Sequence, residues 1–288
     1  MIADSTADQV LLEIEAQRFA EEVGIPPCPE ILTRFAAEMH APDPDMRRLS
    51  GLIANDVGLS AALLAIVNSP FYGLDRKCTS VQQALSVLGL RAGANIVTGL
   101  MLKIAFPAGS TKLMKRFWDE SSSTAAAAAG IAARLKGVDP AEAHTYALFR
   151  DCGVPVMLRK FPVYGEVVEA NRGKPGKHLV VVEDNRFRFN HAHVGFALAR
   201  SWLLPGSMCK AILYHHQPES ASAYSRDIEP ANLRLVAFGI LAEQVVALRA
   251  GSGLCPDWLE NEAFVLATLG IEADQVVTIA EDREAVAA

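Results

Sequence analysis

The sequence predicts an all-α fold, on three observations. Apolar residues recur at helical three-to-four spacing through most of the chain. Breaks carrying proline and glycine cut that periodicity into pieces of helix length. A long stretch near residues 112–136 is dominated by alanine, the strongest helix former and small enough to let helices pack closely.

The elements follow in order. Residues 6–23 form an amphipathic stretch with Val10, Leu11, Ile14 and Phe19 on one side. The segment from Ile25 to Pro29 holds three prolines, which lack an amide donor and restrict the residue before them, so it stops any helix. Helix resumes over 30–40. Pro42-Asp-Pro44 is a turn, and Asp45 is placed to cap a helix over 46–55. A helix over 58–68 precedes a loop with Pro70 and Gly73, and helices at 80–88 and 90–105 flank Gly89. The alanine-rich helix comes next. Asp139-Pro140 reads as a cap followed by proline in the first turn, opening a helix over 140–149. Further helices are predicted near 154–160, 162–171, 191–203, 206–216, 229–250 and 257–269. Residues 178–189 fit two readings: a β-hairpin turning at Glu183-Asp184-Asn185, or a helix ending near Phe187. Beyond about 271 the chain is a short helix or loose.

Composition narrows the function. The 288 residues are 51% hydrophobic and 21% charged, as in a folded globular protein. The net charge of -6 gives no long-range attraction to phosphate backbones, so nucleic-acid binding is not expected. The five cysteines are scattered, with no metal-finger or paired spacing, and read as reduced thiols. The N-terminus is acidic, unlike a signal peptide. No stretch reads as the ~20 apolar residues of a membrane span. The expected location is the cytoplasm.

Seven histidines are the scarce chemical resource. His40, His144 and His178 are isolated. His191 and His193 open one predicted helix, two residues apart, so they cannot share a face, and His191 is the one expected to point inward. His215 and His216 end another helix, where the dipole favours a cation. Asp151 lies in Phe149-Arg-Asp-Cys-Gly153 among apolar residues, so its carboxylate needs a partner: a cation, a helix N-terminus or a metal.

Six motifs in order resemble the HDOD family: Pro26-Pro-Cys-Pro-Glu-Ile-Leu32, Asn55-Asp-Val-Gly-Leu-Ser60, Ile66-Val-Asn-Ser-Pro-Phe71, the run from Ser80 to Gly89, Phe149-Arg-Asp-Cys-Gly153, and the pattern from His191-Ala-His-Val-Gly195 through Trp202 to His215-His-Gln-Pro218. The resemblance covers roughly residues 21–250. It implies an N-terminal helical bundle over 21–108 and a second helical part over 109–280, similar to HD and HD-GYP phosphohydrolases. An extension over 1–20 and a flexible tail over 281–288 complete the chain. It also implies a regulatory role, with response regulators or cyclic-di-GMP enzymes as partners.

The departures from the related hydrolases bear on activity. Glu120 stands where a histidine ligand would, Arg150 replaces the histidine of the His-Asp pair, and Phe238-Gly-Ile-Leu241 carries no carboxylate where an aspartate should be. Arginine stays protonated and cannot ligate a cation. The expectation is therefore an ionic network of Glu120, Arg150, Asp151, His191, His215 and His216. It holds no cofactor and performs no hydrolysis, and signalling works through protein or small-ligand binding. The alternative is a degenerate metal-dependent hydrolase using Asp151, His191, His215 or His216, with Glu120 as a substitute ligand. Asn68, in the Asn68–Gly73 loop, is expected at the joint between the two parts, with Phe71 and Tyr72 wedged into the second.

Overall fold

A computed structural model describes residues 19–69, 72–135, 137–218 and 230–282. Among them every regular element is helical: α1 (Glu30–Met39), α2 (Met46–Ala54), α3 (Val57–Val67), α4 (Val81–Ala105), a short 3₁₀ turn (Ala108–Ser110), α5 (Lys112–Leu135), α6 (Pro140–Phe149), α7 (Gly153–Lys160), α8 (Tyr164–Ala170), α9 (Gly176–Phe187), α10 (His191–Ser201), α11 (Gly206–Tyr214), α12 (Pro230–Arg249), α13 (Pro256–Leu269) and α14 (Ala273–Glu281). Of residues 178–189, those up to Phe187 are helix, not hairpin, and Arg188 in the left-handed region ends it. The expected helix over 6–23 is described only from Phe19, and the tail beyond Asp282 lies outside the described residues, as does Phe71.

The caps explain where the helices begin. Asp45 accepts from the Arg47 amide, Asp56 from Leu59, Ser80 from Gln83, and Asp139 from both Ala141 and Glu142. Each satisfies an amide that the first turn leaves unpaired. The two helices predicted on either side of Gly89 run as one kinked element. Gly89 takes φ 77°, ψ 168°, a backbone state that favours glycine.

Helices α1 to α4 form the first bundle, with α4 packed on α1, α2 and α3. The far side of α4 meets α6, which joins the bundle to the second part. There α5 and α6 pack side by side and α12 crosses both, closing the layer with α11 and α13. The alanines of α5 serve this closeness: Ala125, Ala127 and Ala128 are fully buried. By length and composition α4 is long and apolar enough to cross a membrane, which corrects the expectation that no such stretch exists. Its apolar length follows from having neighbours on two sides.

Candidate functional site

The site forms where four helix ends converge. Helix α6 stops at Phe149, and residues 150–152 turn sharply into α7. Asp151 is thereby presented at a corner, not along a helix face. Asn190 caps α10 by accepting from the His193 amide, which sets His191 as the first helical residue, buried, while His193 is exposed. His215 and His216 follow the last turn of α11. Gly176 at the start of α9 makes room for them: a methyl there would lie 1.8 Å from Cε1 of His216.

The imidazoles are held from behind. The Nδ1 of His191 lies 2.7 Å from Oε2 of Glu183, which also accepts from the His191 backbone amide at 3.0 Å. Tyr164 donates its hydroxyl to the other oxygen of Glu183. The Nδ1 of His215 lies 2.6 Å from the Ile212 carbonyl, and that of His216 lies 3.0 Å from Oδ2 of Asp257. With all three Nδ1 atoms against acceptors, the three Nε2 atoms turn inward. The His191 and His216 Nε2 atoms are 3.0 Å apart, and Oδ1 of Asp151 is 3.2 Å from His215 Nε2 and 3.5 Å from His191 Nε2.

Arg150 completes the arrangement. Its Nε and Nη2 donate to Oδ2 of Asp151 at 3.1 and 3.0 Å, and Nη2 also donates to Glu243 on α12. Burial opposes its charge, but Glu243 and then Asp151 outweigh it and hold the guanidinium firmly protonated. Burial alone would raise the Asp151 carboxyl. The Arg150 guanidinium outweighs it and holds the carboxyl well below the usual carboxylate range. Burial, then the neighbouring His216, brings His215 down to about 3, so its ring is neutral. Burial also opposes a charge on His191, yet Glu183 outweighs it and raises the pKa.

Arg150 and Asp151 pair as the network expectation has it, and they can do so although adjacent because the helix has already ended. Several other expectations are corrected. Glu120 is not in the network. It is exposed on α5 and pairs with Arg116 and Arg172. Asn68 is not at the joint. Its side chain donates to the Cys78 carbonyl and accepts from the Cys78 amide, pinning the loop within the first bundle. Ser69 and Tyr72 do reach the second part, lining a cavity of about 310 Å³ with Ala126, Pro140 and His144. A carboxylate does serve the site from α12: it is Glu243, two residues past the Phe238–Leu241 run.

Glu183, Glu243 and Asp257 escaped the sequence reading. Glu183 had a signal: it stands between Val180 and Phe187 at apolar spacing, a charge on an inward face. Glu243 had the same one, as a lone acid in an apolar run. Asp257 had none, since an acid in a first turn is ordinary.

The comparisons with known proteins agree with this architecture. The HDOD domain profile matches residues 25–218. The chain belongs to the HDOD family. An uncharacterized protein of Treponema pallidum is 26% identical over 213 residues, covering 69% of this chain and 39% of its own length. The HDOD chain therefore spans well under half of that curated relative. A Shewanella amazonensis structure, described provisionally as a phosphohydrolase, superposes with a TM-score of 0.67 at 21% identity over 92% of this chain and 94% of its own. A Marinobacter aquaeolei structure, described provisionally as a signal transduction protein, gives a TM-score of 0.67 at 22% identity over 98% and 64%. At these identities the two structures establish a shared fold.

The residues can be tested against the metal centre of the related hydrolases. Asp151, His191, His215 and His216 each offer one donor atom, all within 4.8 Å of one another. That set fits one ion. It does not fit two, because the far oxygen of Asp151 is held by Arg150 and Glu120 has other partners.

Proposed function

We propose that this HDOD protein is a signalling module that acts by binding a partner protein and does not hydrolyse phosphoesters. One observation carries the reading: the Arg150 guanidinium, 7% exposed, bridges Asp151 and Glu243. Hydrolysis at an HD-like centre needs a metal-activated water beside the substrate phosphorus. A fixed cation bonded to the central aspartate repels a second metal ion and turns the carboxylate inward. The cavity that opens on Asp151, about 170 Å³, has an apolar wall that includes Leu113, Phe117 and Val154, and its charged members Arg116, Glu120, Arg150 and Glu243 are already engaged in ion pairs.

Partners of the proposed kind are response regulators and cyclic-di-GMP enzymes, engaged in the cytoplasm. The provisional description of the Marinobacter structure is in keeping with signalling. The surface for such contacts includes Val57 on the first bundle and Leu203 near the groove between the two parts.

The second reading is a one-metal hydrolase, favoured by the partial exposure of Asp151, 27%, toward that cavity. A single assay separates the two. The full chain, supplied with zinc, manganese or iron, is incubated with phosphomonoesters and cyclic dinucleotides. No turnover above buffer is expected. Turnover lost in Asp151→Ala would replace the binding module with the enzyme.

A further inference from the structure

Among the described residues, eight glycines and two other residues take a positive φ. Glycine does so without a clash, whereas a Cβ in that region crowds the neighbouring carbonyl. Arg188, φ 68°, turns a charged side chain toward water at the end of α9. Leu203, φ 64°, turns an apolar one, and it is 54% exposed.

The backbone bonds show what position 203 is. The Leu203 amide donates to the Arg200 carbonyl at 3.1 Å, and the Leu204 amide to the Ala199 carbonyl at 3.0 Å. That pair of bonds closes a helix through one left-handed residue, a place that glycine fills most often. Gly270 ends α13 with a left-handed φ of its own. At the end of α10 a leucine costs the fold twice, once in backbone strain and once in apolar surface left in water. A glycine would end the helix with neither cost.

Leu203 stands at a groove of about 470 Å³ between the two parts. Leu32, Phe35 and Met39 line it from α1, and Trp202 and Leu204 line it from the second part. An exposed apolar knob and an apolar hollow therefore share one face. The same groove holds one charge of each sign, Arg91 on α4 and Glu142 on α6. Burial, and then Asp139, raises the Glu142 pKa, and Arg91 acts against both. Among the described residues neither of the two closes an ion pair, so each is short of a counter-charge at bonding distance.

A knob beside a hollow, and a cation beside an anion, make a face complementary to itself. A two-fold axis sets the same patch of two subunits against each other and brings each feature to its complement. A foreign partner would have to reproduce all of these complements; a second copy of the chain already carries them. We propose that two copies of this chain meet at this face, with Leu203 of each entering the groove of the other and Arg91 of each pairing with Glu142 of the other. The dimer goes beyond the signalling reading and stands without it. A signalling protein that contacts Leu203 competes with the second copy.

Sedimentation equilibrium of the full chain over about 1–100 μM, a range that spans dimers of modest affinity, tests this. A monomer–dimer equilibrium is expected. Leu203→Gly should weaken it about tenfold or more and leave the melting temperature equal or higher, since glycine suits that backbone. Arg91→Glu and Glu142→Arg should each weaken association about tenfold, and the double reversal should restore it, because the charges then meet with their signs exchanged. A chain that stays monomeric throughout would overturn the proposal. So would a dimer that Leu203→Gly or the single reversals leave equally tight, or a double reversal no tighter than the singles, since the contact would then lie elsewhere. A lower melting temperature in Leu203→Gly would assign the leucine to the fold and remove the argument for a knob. The phosphoester assay is independent of these outcomes: turnover would remove the binding module and leave the dimer standing.

Discussion

The two helical parts of this HDOD protein are held together by different physics. The first bundle is apolar inside, with Leu49, Ile53, Leu59, Leu63 and Leu85 fully buried. Its main polar tie away from the helix caps is the Asn68 clip on Cys78. The second part also has an apolar core, but a polar node sits at its centre, with Glu183, His191, His215 and Arg150 all buried. Apolar packing is non-directional and tolerates exchange of similar shapes. A buried network of charges is directional, and removing one member leaves its partners unpaired. The first part should therefore absorb substitution that the second cannot.

Arg150→Ala attacks the node most directly. It leaves Asp151 and Glu243 facing each other without a cation, and a loss of about 3 kcal/mol is expected in urea unfolding, in the range for breaking a buried pair. A loss of only about 0.3 kcal/mol, the size of an ordinary surface substitution, would mean that the node is not what stabilises the second part. Gly176→Ala comes next. The added methyl collides with the His216 ring, and about 2 kcal/mol of overpacking should lower the melting temperature by roughly 4–8 °C. An unchanged melting curve would show that His216 is free to move.

Asn68→Ala should cost less, about 1 kcal/mol, and locally. Hydrogen exchange at the Cys78 amide should speed up while that at the His191 amide stays the same. Equal acceleration at both would erase the distinction between the parts.

The smallest effect concerns His144, at the cavity between the parts. Burial, and then Lys103, lowers its pKa from 6.5 to about 4. The unfolded chain then takes up a proton at higher pH than the folded one. The His144 contribution is complete above pH 6.5 and is lost as pH falls toward 4, by on the order of 1 kcal/mol for a partly buried ring. His144→Gln should flatten stability over that window, and an unaltered slope would assign it to other groups.

Reading helices from this sequence worked where local signals are strong. The caps at Asp45 and Asp139 and the break at Gly89 lie where spacing placed them. His191 was expected to face inward, and it does. Glu120 and Asn68 went wrong for one reason: both were placed from their position in a family pattern. Their partners, Arg172 and Cys78, are set by how the chain packs. Arg150 and Asp151 were expected in one network, and the turn after Phe149 is what lets two adjacent residues meet.

By itself the sequence determined the helical class, most helix ends, and which histidines are scarce enough to matter, because periodicity and capping act over a few residues. Tertiary packing decided which groups share the node. Glu243 reaches Arg150 across 93 residues of chain and Asp257 reaches His216 across 41, and no short-range rule brings them there. Hydrogen bonds and charge pairs act over a few ångströms of space, whatever the distance along the chain.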